Sequence, residues 1–219
     1  MKKIFLSASI PLPHRDPKYY ETSDIIAIRD AVIALASVVL PSHKIIWGGH
    51  PSITPLIYFV LEKMIINNLK RNNWDIPLTN EETIEVQNKL KNKIQNHVTL
   101  YQSLFFKDIF PIENKNFENV VLTEDKGDKL ISIQHMREQM LSKKHKFDAA
   151  VFIGGMDGIE IEYEIFKKNH PTALILPIAS TGAATKILYD QLPEKQQNQR
   201  FLKDYGYMSL FQKFLMDAI

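Results

Sequence analysis

The chain has 219 residues, 45% hydrophobic and 24% charged, the balance of a folded domain with a sizeable core rather than of a disordered or fibrous chain. A net charge of +2 argues against nucleic acid and acidic membranes as partners. The absence of cysteine excludes disulfides, thiol catalysis and cysteine-based zinc sites.

The opening stretch MKKIFLSASIPLPHRD is basic and then apolar, like a signal peptide. Its apolar core runs only from Ile4 to Ile10 before Pro11 and Pro13, so KIFLSAS (3–9) reads as a buried first strand. A proline-rich loop follows (10–22). Ser23 is the expected cap of a helix over 24–39, with Ile25, Ile28, Val32, Leu35 and Val39 as its apolar stripe. KIIWGG (44–49) is the second strand. Thr54 and Pro55, a cap and a proline at the first helical position, open a helix to about Asn67.

Residues 67–97 are rich in Asn and Lys and read as a polar insertion in one domain spanning 1–219. VTLYQSLFF (98–106) and NVVLTE (119–124) are strands three and four, with a helix at about 128–143 after them. DAAVFIGG (148–155) is strand five and leads into a helix. TALILPIA (172–179) is strand six, and a helix follows from Gly182 to Leu188. The tail 197–219 reads as an amphipathic helix. No apolar run reaches the length of a membrane span, so the cytoplasm is the expected location.

Strands alternate with helices, and several strands are continuous apolar runs. That pattern specifies an α/β fold of the Rossmann-like, doubly wound kind: a mainly parallel sheet with helices on both faces. Ligands in such sheets bind at the carboxyl ends of the strands. Six of the eight glycines (Gly48, Gly49, Gly154, Gly155, Gly158 and Gly182) fall just after predicted strands, on that rim.

Two charges fall where apolar residues belong. At about 100° per residue from Ile159, Tyr163 falls at about 40°, Ile165 at about 240°, Phe166 at about 340° and Glu162 at about 300°, inside the apolar arc. Glu160 and Glu164 form a small solvated face. In KLISIQHMREQML (129–141), Arg137 interrupts the stripe of Leu130, Ile133, Met136, Met140 and Leu141. Buried charges need partners. On one reading Arg137 and Glu162 form a structural bridge, which costs about 3–5 kcal/mol to break. On the other, both face a pocket: the glycine turns hold phosphate on backbone N–H groups, Arg137 neutralises it, and Glu162 takes ribose hydroxyls. The candidate ligand-binding residues are Ser7, Ser9, Gly48, Gly49, His50, Ser52, Thr54, Arg137, Gly154, Gly155, Asp157, Gly158, Glu162, Ser180, Thr181 and Gly182. His14 and Arg15 rank lower, in an exposed loop. No metal or cofactor is expected.

The motifs SAS (7–9), GGHPSITP (48–55), HMREQM (135–140) and GGMDGIEIE (154–162) together resemble the SLOG superfamily. It includes the Lonely-guy phosphoribohydrolases, the DNA-processing protein DprA and the sensor domains of TRPM channels. The last motif departs from the Gly-Gly-x-Gly-Thr-x-x-Glu turn by one inserted residue and by Ile159 in place of threonine. Glu162 then matches the family glutamate. FLSASIP, GGHPSITPLI and LYQSLFF look most like the branch associated with TIR and purine-nucleoside-phosphorylase domains in bacterial conflict and antiphage systems. The resemblance implies a homo-oligomeric nucleotide sensor for an NAD-derived signal, such as an ADP-ribose derivative or a cyclic nucleotide. TIR or nucleoside-phosphorylase proteins are the implied partners, and the chain is expected to be the sensor domain alone. The alternative is an enzyme that cleaves the base–ribose bond, with Glu162 and Arg137 catalytic and an oxocarbenium-like transition state. The altered turn favours recognition over turnover.

Overall fold

A computed structural model describes residues 1–71, 88, 92 and 94–219. Six strands form one parallel sheet in the order β4-β3-β2-β1-β5-β6. They are β1 (Lys3–Ser9), β2 (Lys44–Gly48), β3 (Val98–Ser103), β4 (Val120–Thr123), β5 (Ala149–Gly154) and β6 (Leu174–Ile178). β1 and β5 are central and buried almost throughout, as continuous apolar runs demand. Pro177 is tolerated because β6 is an edge strand. The chain order reverses direction at β1, so the crevice between the carboxyl ends of β1 and β5 is the topological switch point.

Alternate residues of each strand feed two cores. On one face Ile4, Leu6, Ile45, Trp47, Val151 and Ile153 pack with α2 (Ile25–Val39), α3 (Thr54–Arg71) and the C-terminal helix. On the other, Phe5, Ile46 and Phe152 pack with α4 (Lys129–Met140), α5 (Asp157–Asn169) and α6 (Ala183–Asp190). This two-sided covering is the Rossmann-like α/β arrangement that the alternating pattern specifies.

The differences from the sequence reading are local. The loop after β1 contains a short helix, α1 (Pro17–Tyr20). Asp24, not Ser23, caps α2, accepting from Ala27 N at 2.9 Å. Ile25 leaves the α2 stripe and is 41% exposed. α3 already includes Thr54 and runs on to Arg71. Apart from its ends, the polar insertion read at 67–97 lies outside the described residues. β3 stops at Ser103, whose hydroxyl accepts from Phe105 N at 3.3 Å and turns the chain into 3-10 geometry. The tail is not one helix but two, α7 (Gln199–Lys203) and α8 (Tyr207–Phe214). Asp204 joins them, accepting from Arg200 Nε and Gly206 N.

Gly182 shows why one glycine is obligatory. Its φ is +70°, and a Cβ there would lie 1.8 Å from the Thr22 carbonyl oxygen. Backbone cannot yield as a side-chain tip can. Gly182→Ala is expected to cost at least about 2 kcal/mol of folding stability, read as a lower midpoint in urea denaturation.

Candidate functional site

A cavity of about 360 Å³ opens at the carboxyl ends of the strands, against the switch point. Ser7 and Ser9 reach it from β1, Gly48 from the end of β2, Gly49 and His50 from the β2–α3 loop, Arg137 from α4, and Asp157, Gly158 and Glu162 from α5. Arg15, ranked low in the sequence, lines it as well.

Glu162 organises this wall. Its Oε1 accepts from Arg137 Nε at 3.2 Å and its Oε2 from Ser7 Oγ at 2.5 Å. The Arg137 and Glu162 side chains are each 15% exposed. The two readings of the misplaced charges therefore merge: the pair is a bridge, and the bridge is part of the cavity wall. It draws on one of the five donors of Arg137. The guanidinium passes over Gly158, where a Cβ would lie 2.5 Å from Arg137 Nη2. The third glycine of the turn thus makes room for the arginine.

The glycine pair before it serves the fold. Gly155 N donates to the Ser9 carbonyl and Gly154 N to Thr181 Oγ1. Their missing side chains leave space for Ile159 and Ile28. Gly49 N donates to the Tyr101 carbonyl and Gly182 N to the Ala179 carbonyl. These N–H groups are committed and cannot cradle phosphate. What opens on the cavity instead is the start of α5. Met156 caps it without a side-chain bond, and among the described residues the Asp157 and Gly158 N–H groups have no acceptor.

The cavity does not take in Ser52, Thr54, Ser180, Thr181 or Gly182. Ser52 Oγ accepts from Ile10 N at 3.3 Å and bonds His50 Nδ1 at 2.8 Å. Thr54 Oγ1 accepts from Trp47 Nε1 and His50 N, both at 3.3 Å. Ser180 bonds the Asp204 carbonyl and the Tyr207 hydroxyl. Thr181 Oγ1 donates to the Ile178 carbonyl. Short polar side chains after a strand serve caps and turn closures as readily as ligands, and sequence position alone does not separate the two uses.

Other lining residues were not among the ligand-binding candidates of the sequence. Lys129 and Leu130 begin α4, and Gln102 is the last residue but one of β3. Phe106, Ile109 and Pro111 arrive because β3 stops early. Leu130 is 74% exposed, so the α4 stripe packs only from Met136 onward while its first turns overhang the cavity. Glu160 is not merely solvated, since it accepts from the buried Tyr19 hydroxyl at 3.1 Å. Three cationic side chains (Arg15, Lys129, Arg137) face two carboxylates (Asp157, Glu162), which leaves the lining with a cationic excess suited to an anion. His50 adds no charge near neutrality: burial and the positive Arg15 push its pKa down to about 4. Ser52 N donates to His50 Nδ1 at 3.3 Å, so the neutral ring carries its proton on Nε2.

A parallel, doubly covered sheet with a cation-rich cavity at its switch point defines a Rossmann-like α/β protein. The model of the SLOG cluster3 family matches residues 18–73 and 82–215, and the chain belongs to that family and, with it, to the SLOG superfamily. Membership suggests a nucleotide-related function. No curated protein matches the chain. Among the described residues no helix is long and apolar enough to cross a membrane.

Two outcomes follow from this geometry. Gly158→Ala is expected to push the Arg137 guanidinium aside and strain its half-buried bridge to Glu162, at a cost of about 1–3 kcal/mol. The check is a lowered melting midpoint alongside weakened binding of an anionic ligand. For His50, the unfolded ring binds its proton at about pH 6.5 and the folded ring only at about 4. The unfolded state therefore holds more protons between these values, and stability falls as pH drops through that window. The loss is on the order of 2–3 kcal/mol. Urea denaturation from pH 7 to pH 4 is expected to show a shallower slope for His50→Gln.

Proposed function

We propose that the cavity binds a nucleotide and that the protein acts as its sensor. The observation that carries this reading is the Arg137–Glu162 pair in the cavity wall, beside the uncapped start of α5. The helix N-terminus and the remaining guanidinium donors suit phosphate. Glu162 suits ribose hydroxyls, since each of its oxygens accepts one bond within the protein and retains a second lone pair. The cavity volume lies at the lower end of the range of about 300–1,000 Å³ common for small-molecule sites.

Sensing is preferred to turnover because the turn before Glu162 carries an inserted residue and has Ile159 where the family pattern has threonine. Ser7 and Arg137 hold both Glu162 oxygens in place, which suits a fixed acceptor for hydroxyls. The ligand proposed is an NAD-derived signal, such as an ADP-ribose derivative or a cyclic nucleotide, in a bacterial conflict or antiphage system. The partners proposed are TIR or nucleoside-phosphorylase proteins, on the resemblance of the motifs to that branch. Self-association is proposed too; the exposed Ile109, Leu130 and Ile161 on the cavity rim support it.

The test is incubation of the purified protein with AMP, NMN, NAD, ADP-ribose and cyclic ADP-ribose isomers, followed by mass spectrometry of the bound fraction and the products. The expected result is a ligand retained intact by wild type and lost by folded Arg137→Ala and Glu162→Gln variants. Free base released by wild type and not by Glu162→Gln would make the protein a phosphoribohydrolase-type enzyme instead. Neither retention nor release would return Arg137 and Glu162 to a structural bridge alone.

A further inference from the structure

Gln102 is a cavity residue that neither the bridge nor the helix start explains. It stands near the end of β3, is only 5% exposed and lines the cavity. Gly49 makes room for it: a Cβ at residue 49 would lie 1.7 Å from Gln102 Oε1. The glycine that resembles a ligand-approach position is therefore shaped around a neighbour's amide.

That amide is under-used. Gln102 Oε1 accepts a single long bond, 3.4 Å, from Asn114 Nδ2. Asn114 is itself only 9% exposed, and its Oδ1 has no partner. Two amides buried only to satisfy each other would exchange two hydrogen bonds. Here one is made, and among the described residues nothing accepts from Gln102 Nε2. Unlike Asn114 Oδ1, Gln102 Nε2 is not sealed off from solvent, so on a residue that lines the cavity this donor is free to meet an acceptor that arrives with a ligand.

The surroundings indicate which part of the ligand. Phe106, Ile109 and Pro111, all uncharged and apolar, line the cavity from the segment just after β3. The charged groups enter from elsewhere: Arg15 from the loop after β1, Lys129 and Arg137 from α4, Asp157 and Glu162 from α5. Ser7, which holds Glu162, is on β1, two strands from β3 and so about 10 Å across the sheet. Ser7, Glu162 and the start of α5 make a wall for charge and hydroxyls. The segment after β3 adds no charge, and there Gln102 presents a neutral amide beside an apolar, partly aromatic surface.

We propose that Gln102 reads the base of the nucleotide, Nε2 donating to a ring nitrogen or exocyclic oxygen while the base lies against Phe106, Ile109 and Pro111. This rests on the nucleotide reading above and assigns the part of the cavity that the phosphate and ribose do not use.

Isothermal titration calorimetry tests it with AMP, GMP, NMN, ADP-ribose and ribose 5-phosphate, the last lacking a base. Wild type is expected to bind a base-bearing ligand more tightly than ribose 5-phosphate. Gln102→Leu is expected to lose about ten-fold or more against that ligand, with ribose 5-phosphate affinity held within about two-fold. Gln102→Glu keeps the acceptor for Asn114 and replaces the donor with an acceptor. It is expected to shift preference toward a base that presents an N–H at that edge. Melting curves accompany each variant. Unchanged binding, or an equal loss for every ligand including ribose 5-phosphate, would overturn the assignment and leave the nucleotide reading standing. Failure of wild type to bind any of the five would overturn both.

Discussion

A carboxylate placed on the inner face of a helix has to be given partners, and much of the site follows from how Glu162 obtains them. Ser7 answers one oxygen from the central strand, and Arg137 answers the other from a different helix. Each partner then imposes its own condition. Ser7 must stand near the end of β1, where the sheet stops and the crest begins. Arg137 must cross the first turn of α5, which requires a residue without a side chain at 158. One glutamate thus fixes the mutual placement of β1, α4 and α5, and with it one wall of the cavity.

The opposite wall has a different origin. It depends on the early end of β3 at Ser103, after which the chain turns back over the crest and carries Phe106, Ile109 and Pro111 with it. The two walls meet over a sheet whose order reverses between them. A parallel sheet gathers its strand–helix loops at one end, so residues far apart in sequence need no special device to meet there. The charged lining comes from α4, α5 and the loop after β1, whereas the segment after β3 adds only apolar residues; α4 and α5 contribute apolar lining of their own, among them Ile133, Met136 and Ile159. A cavity with both kinds of lining suits a molecule that carries an anionic and an aromatic part.

The strands were legible because buried parallel strands are continuous apolar runs with little else to resemble: KIFLSAS and AAVFIG stand out against any helical periodicity. The misplaced charges of Glu162 and Arg137 were legible for the converse reason, as violations of a period that otherwise holds. What escaped depends on distances that no period encodes. The stop at Ser103 comes from a hydroxyl bond to Phe105 N, and LYQSLFF carries the same apolar content either way. The roles of Gly154 and Gly155 rest on the bulk of Ile28 and Ile159 and on acceptors in distant segments. Ser180 and Thr181 looked like ligand residues because small polar residues after a strand suit both uses, and their partners Asp204, Tyr207 and Ile178 decided for the fold. Gln102 did carry a visible signal: a long amide near the end of a strand that is buried almost throughout.

The bond between Ser7 and Glu162 joins residues 155 positions apart. Lys3 N similarly reaches Asp148, 145 positions on, and β1 takes β5 as a neighbour only after β2, β3 and β4 have been made. The central strand therefore waits, with one edge open, for most of the chain to emerge. Closing so long a loop carries an entropic cost before any contact repays it. A nascent or truncated chain that lacks α5 can pair β1 with β2 yet has no Glu162 to offer. The binding wall therefore marks the closing of β5 onto β1: that pairing and the docking of α5 beside it bring Glu162 to Ser7 before β6 and the C-terminal helices are added.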